Sequence, residues 1–341
     1  MNLKDNKPKI GISIGDCNGV GPEVIMKSLM DARMTRSFTP VIYGHGKILS
    51  YYRKALSLED FNFHQTRDLN SLQWKKVNVI NVSEDCPELN PGTETELAGQ
   101  FALKAFEAGI KDLQQGNIDA LVTAPVSKNN INTPEAPFLG HTEHIARAVG
   151  AKKSLMMMVS ESQRVGLVTA HMPLAQVASS ISKELIKEKC EIMLSSLEKD
   201  FGINKPKIAV LGLNPHAGEE GILGNEEIEI IKPAINELKD KGHYVFGPYA
   251  ADGFYGMMQQ NRFDGVMAMY HDQGLIPFKA MNFGQGVNYT AGLPVVRTSP
   301  DHGTAFGIAG KNLADPGSMR SALFLAFDIV KTQSQESEYV E

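Results

Sequence analysis

A mixed α/β protein, with helices on both faces of a mostly parallel sheet and two such domains, is the fold class this sequence predicts. Three observations carry it. Short apolar, β-branched runs recur along the chain: PKIGISIG at 8–15, PVIYGH at 40–45, KKVNVINV at 75–82, IDALVTAP at 118–125, RVGLVTA at 164–170, KIAVLGL at 207–213 and GVMAMY at 265–270. Stretches of helical spacing lie between several of them, and strands alternating with helices are the pattern of a parallel sheet. The length, 341 residues, exceeds what one small core organises, so two domains follow.

The first strand runs into Asp16-Cys17-Asn18-Gly19-Val20-Gly21-Pro22-Glu23, and an amphipathic helix is expected from about Glu23 to Ala32. Proline suits a helix start, where its missing N–H has no partner to lose. The glycines at 15, 19 and 21 do not make GxGxxG, and no Walker lysine follows, so the turn marks an α/β unit more than a nucleotide site. Cys86–Gly92 reads as a proline-containing loop. Thr93–Gln115 has helical spacing, an acidic first turn and a Gln/Lys-rich end. The Met156-Met157-Met158 run reads as core strand, Glu219–Glu229 as a solvated acidic loop and helix start, and the polar tail Thr332–Glu341 as frayed.

Composition narrows the function. A net charge of -5 offers no basic excess for nucleic acid. No run of about 18 apolar residues exists and the first nine residues are polar, so neither a membrane span nor a signal peptide is expected. Cys17, Cys86 and Cys190 are scattered, without CxxC, and read as free thiols of a reducing cytoplasm.

Chemistry concentrates where strands end, because ligands of parallel sheets collect at carboxyl ends. His171 follows RVGLVTA, His216 follows KIAVLGL within Asn214-Pro215-His216-Ala217-Gly218, and His271 follows GVMAMY. One such histidine is ordinarily a satisfied structural residue. Three with one placement point to a divalent cation with positions left open for substrate. The segment that follows the Gly265–Tyr270 strand as far as Gly310, which opens with His271 and carries Lys279, Asn288, Arg297, Asp301 and His302, is too polar and glycine-rich for a core element. It is expected as a long ordered loop with cations for a small anion. In GHTEH, Thr142-Glu143 resembles a helix start, so His141 lies in the loop before it, where it can meet a ligand, and His144 faces solvent or packs. Asp252 and Asp272 lie beside this set, either able to orient a histidine or to act as base.

Together these motifs resemble the 4-hydroxythreonine-4-phosphate dehydrogenase family, which makes an intermediate of pyridoxal phosphate. The similarity runs nearly end to end, through GDCNGVGPE, TAPVSK, GHTEH, TAHMPL, LGLNPHAGE, GPYAADG, MYHDQGLIPFK, VRTSPDHGTAF and ADPGS. NPHAGE with YHDQG is its most specific part. The family's N-terminal turn usually reads GDPAGIGPE; here Cys17 and Asn18 replace Pro and Ala.

The resemblance implies two α/β/α domains like those of isocitrate and isopropylmalate dehydrogenases, with a cleft between them. The first would be discontinuous, residues 1–128 with 308–341, and the second would be 129–307. It implies that His171, His216 and His271 bind one divalent cation (zinc, magnesium or cobalt) and that His141, Thr142, Lys279, Asn288 and Arg297 contact a phosphorylated substrate. Asp252 and Lys279 are the expected catalytic groups. NAD or NADP is the expected oxidant, held by residues the sequence does not single out. A cytoplasmic homodimer with a shared site follows from the same resemblance. The implied reaction oxidises 4-phosphohydroxy-L-threonine at C3 and decarboxylates the product to 3-amino-2-oxopropyl phosphate. The alternatives are a related dehydrogenase acting on D-threonate or D-erythronate 4-phosphate or on a cyclic diol acid, and a non-enzymatic binding module.

Overall fold

The apolar runs form strands. The computed structural model describes residues 7–132 and 140–340. Its first elements are β1 (Lys9–Ser13), α1 (Gly21–Leu29), α2 (Ala32–Ser37), β2 (Thr39–Gly44), α3 (Gly46–Ala55), β3 (Phe63–Thr66) and β4 (Val77–Asn81). Next come α4 (Glu96–Gln114), β5 (Ala120–Thr123), α5 (Lys128–Ile131) and α6 (His141–Ala148). The middle of the chain supplies β6 (Leu155–Val159), β7 (Arg164–Leu167), α7 (Leu174–Ser180), α8 (Lys183–Lys199), β8 (Lys207–Leu211), α9 (Lys232–Asp240) and β9 (Tyr244–Tyr249). It continues through α10 (Ala251–Gly256), β10 (Gly265–Ala268), α11 (His271–Met281) and β11 (Val287–Ala291), and closes with β12 (Val296–Pro300) and α12 (Gly317–Val340).

Two compact units emerge. One holds the chain up to Lys152 together with Pro294–Lys331, the other Lys153–Leu293 together with the chain from Thr332. The expected boundaries at 128/129 and 307/308 therefore differ from those of the structure. Residues 294–307 fall in the first unit because β12 pairs in parallel with β5, Arg297 opposite Leu121. No spacing in the sequence announces that partnership.

In the first unit the strand order is β3-β4-β2-β1-β5-β12, and its pairings are parallel. Strand β2 is buried along its whole length, as a sheet covered on both faces requires. Helix α4 is capped by the Thr95 hydroxyl, which accepts from the Ala98 N–H, and buries Ala98, Phe101, Ala102, Ala105, Phe106 and Ile110 along one stripe.

In the second unit the order is β11-β6-β7-β10-β8-β9. β6 runs antiparallel to both its neighbours, while β7, β10, β8 and β9 are parallel. Met157 and Met158 of β6 are buried, as a core strand demands, and Met158, Val165, Leu167, Ala209, Leu211, Val266 and Ala268 join Phe254, Leu275 and Phe278 in one core.

Three expectations are overturned here. The stretch from His271 to Gly310 is not one long loop but contains α11, β11 and β12. Leu275 and Phe278 bury one side of α11 in the core, and removing such a ring costs about 3–5 kcal/mol. The tail is not frayed, since α12 extends to Val340, with the Gln333 amide donating to Asp200. Nor is Glu219–Glu229 merely solvated, because Glu227 is 1% exposed. Among the described residues no helix is long and apolar enough to cross a membrane.

Candidate active site

Parallel neighbours end at the same edge, and four of them deliver chemistry there. His171 follows β7, His271 follows β10, His216 follows β8 and Asp252 follows β9, which is their order across the sheet. Adjacent strands lie about 4.8 Å apart, so side chains leaving neighbouring ends are within reach of one small ligand. The edge is stapled from below. Gln273 accepts from the Met269 N–H at 2.7 Å and donates to the Gly212 carbonyl at 2.6 Å, linking the ends of β10 and β8. The Thr169 hydroxyl donates to the Met269 carbonyl at 2.7 Å, linking β7 to β10.

The His171 and His271 rings face each other with centroids 5.8 Å apart, inclined at 45°. His271 opens α11, and its Nδ1 lies 2.7 Å from Asp272 Oδ1. That contact assigns the Nδ1–H tautomer and leaves Nε2 as a free lone pair, the arrangement usual for a metal-ligating histidine. His171 and His271 line a hollow of ≈ 390 Å³. His216 lines the adjoining one of ≈ 600 Å³ with Asn214, Asp252, Tyr270, Asp272 and Gln273. Tyr270 and Asp272 are common to both. The donors suit a divalent cation, and the facing pair is spaced for a shared ion. The third ligand is not closed onto it: among the described residues no three His, Cys, Asp or Glu form a ready metal group.

His216 stands on unusual backbone. Residues His216, Ala217, Gly218, Glu219 and Glu220 have φ of 52°, 51°, 81°, 44° and 56°. A left-handed conformation costs about 1–2 kcal/mol for each non-glycine residue, and runs of it are rare. Stored strain of this kind gathers at functional sites.

Lys279, on α11, and Asp252 are exposed, whereas Asn288 on β11 is half-buried with its Oδ1 enclosed and lacking a hydrogen-bond partner. A buried amide oxygen in that state is a standing acceptor for a ligand N–H or O–H.

The remaining predicted residues belong to the first unit. Arg297 of β12 is 3% exposed, and its Nε and Nη2 donate to Thr123 Oγ1 at 3.2 and 2.7 Å. Its Nη1 reaches Thr142 Oγ1 at 3.4 Å. Burial pulls the guanidinium down to about 10, opposed by the charge of Glu143. His141 is the first residue of α6 and not part of the preceding loop, its ring edge-on to Phe106 at 4.6 Å. Burial first, then the charge of Arg297, holds its imidazole well below the ordinary range, so it is neutral at physiological pH. His144 packs at 5.5 Å from the same Phe106 ring. A buried guanidinium, a hydroxyl and a neutral imidazole make a cradle for a phosphate or carboxylate.

The family model described as pyridoxal phosphate biosynthetic protein PdxA matches residues 36–326. The chain belongs to that family. A Bacteroides thetaiotaomicron relative named 4-hydroxythreonine-4-phosphate dehydrogenase is 48% identical over 98% of this chain and 92% of its own length. A Cutibacterium acnes relative named putative D-threonate 4-phosphate dehydrogenase is 38% identical over 95% of this chain and 94% of its own. The crystal structure of a Klebsiella pneumoniae 4-hydroxythreonine-4-phosphate dehydrogenase superposes with a TM-score of 0.83 at 34% identity, covering 96% of this chain and 99% of that one. The mixed α/β class read from the strand runs is thus also that of a solved relative.

Sequence reasoning missed Thr123, Gln273, Tyr270 and Glu227. Gln273 was within reach, since it sits two residues after His271 in HDQG. Thr123 and Glu227 carry no local signal, because both act through partners distant in sequence.

The family's usual Ala in the first turn is Asn18 here, and the structure gives it a task. Its amide donates to Thr95 Oγ1 at 3.2 Å and accepts from the Asn90 N–H at 2.8 Å, pinning the loop before α4.

Proposed function

We propose that this PdxA-family chain oxidises 4-phosphohydroxy-L-threonine at C3 with NAD or NADP and then releases carbon dioxide, giving 3-amino-2-oxopropyl phosphate. The observation that carries the reading is the edge on which His171, His271, His216 and Asp252 follow four adjacent parallel strands.

Arg297 holds one anionic group through its planar fork, with Thr142 and neutral His141 donating beside it. Lys279 adds a mobile point charge for the other anion. Asn288 Oδ1 accepts from the substrate's ammonium. His171, His216 and His271 would hold one divalent cation (zinc, magnesium or cobalt), which when bound makes a neighbouring hydroxyl more acidic.

The two aspartates then divide their work. Asp272 is occupied orienting His271, so Asp252, exposed on the wall it shares with His216, is the group that accepts the C3 hydroxyl proton. A bound nicotinamide would take the C–H electron pair as hydride, which leaves C3 a ketone. A ketone β to a carboxylate loses carbon dioxide readily, and the C2 carbanion takes a proton, for which Lys279 is the assigned acid.

The expected result is NADH and carbon dioxide in equal amounts from this substrate, both stopped by removing divalent cations and restored by returning them. NADH without carbon dioxide, or turnover indifferent to a chelator, contradicts the proposal.

A second reading, a D-threonate or D-erythronate 4-phosphate dehydrogenase, is favoured by the Cutibacterium relative. It keeps the same chemistry and exchanges the C2 ammonium for a hydroxyl. The proposal includes a cytoplasmic homodimer. Phe283, Leu174 and Ile276, 92%, 72% and 65% exposed, are apolar surface of the kind a second copy covers.

A further inference from the structure

We propose that Glu227 is a positioning residue for His216: its carboxylate is the template on which the left-handed turn carrying that imidazole is built. Oε1 accepts from the Leu213 and Asn214 N–H groups, each at 2.7 Å, and Oε2 accepts from the Asn214 side-chain amide at 2.9 Å. These donors lie within three residues of His216, and Glu227 is 1% exposed.

The turn is shaped around the acid. A Cβ at Gly212 would lie 3.1 Å from Oε1, and one at Gly218 would lie 2.6 Å from Oε2, so glycines flank the carboxylate on both sides. Glu227 itself opens a single π-helical turn, Glu227–Ile231. Such a turn inserts an extra residue and re-aims a side chain, and it recurs at functional sites. Here it leaves Glu226 on Asn214 from outside, at 2.7 Å, while Glu227 points inward.

The strained run His216–Glu220 persists only if its surroundings over-determine it. Two backbone bonds do part of this, Ala217 N–H to the Asn214 carbonyl and Leu223 N–H to the Gly218 carbonyl, each at 3.1 Å. Neither fixes the approach from β8, where the chain leaves the sheet. The carboxylate does, since it holds both N–H groups between the strand and Pro215. Its role is thus to present an imidazole, not to touch substrate.

The inference rests on the reading of His216 as a cation ligand, and the test separates the two. Cobalt(II) binding to the metal-stripped full chain is measured by titration calorimetry for wild type, Glu227→Gln, Glu227→Ala and His216→Ala, each checked for folding by circular dichroism. Glutamine keeps the shape but sets an amide against the Asn214 amide, so it disturbs the template without emptying the core. Glu227 bonds the backbone that carries His216, and loss of a group that orients a ligating histidine weakens metal binding about 10- to 100-fold. We expect that loss for Glu227→Gln and a larger one for Glu227→Ala, with kcat largely recovered as cobalt is raised. Wild-type cobalt affinity in folded Glu227→Gln overturns the positioning role. If His216→Ala loses cobalt while Glu227→Gln does not, only the positioning role falls. If His216→Ala binds cobalt as wild type does, the ligand reading falls and the inference with it.

Discussion

Replacing His271 with alanine is expected to lower turnover about 1000-fold or more and to leave the purified protein with less than stoichiometric cation. His271 is the middle of the three strand-end histidines, just past β10, which lies between β7 and β8, so its loss separates His171 from His216. It is also the imidazole whose Nδ1 is held at 2.7 Å by a carboxylate, which makes its Nε2 the best-oriented donor of the set. A catalytic cation supplies several kcal/mol of charge stabilisation, and each 1.36 kcal/mol is a factor of ten in rate. Side-chain exposure of 38% for His271 and 69% for Asp272 makes a folding explanation of such a loss weak. Metal analysis beside steady-state kinetics is the check. A variant carrying a full equivalent of cation and turning over normally would show that the three histidines do not act as proposed.

Arg297→Lys is expected to cost about 10- to 1000-fold in kcat/KM, because removing one partner of a charged hydrogen-bonded pair costs roughly 1.4–4 kcal/mol. The ordinary alternative, a surface ion pair worth under about 1 kcal/mol, is inconsistent with a guanidinium 3% exposed. Three of its donors are placed on Thr123 and Thr142, and a lysine ammonium reproduces neither the fork nor its plane. The same contacts stabilise the end of β5, so a melting curve accompanies the kinetics to separate lost binding from lost fold. A kcat/KM within about threefold of wild type in the folded variant removes Arg297 from the substrate site.

The histidines were legible because apolar strands end abruptly in polar residues, and the parallel-sheet rule converts those ends into one edge. The pairing of β7, β10 and β8 realises that conversion. Helix α11 was illegible for an equally physical reason. Gly274 and Pro277 interrupt it, and only Gly274, Leu275 and Phe278 are buried, so its helical period is too faint to separate from a loop. Arg297 stood out as a cation, but its anchor is a threonine 174 residues away. Glu227 was hidden in an acidic run, where nothing local marks the one carboxylate that turns inward.

Parallel measurement of kcat/KM on 4-phosphohydroxy-L-threonine and on D-threonate 4-phosphate, with NAD and a divalent cation, tests the central claim most directly. The account predicts that the amino substrate is preferred by about tenfold or more, the value of roughly 1.4 kcal/mol from pairing its ammonium. Preference for the threonate phosphate by the same margin contradicts it.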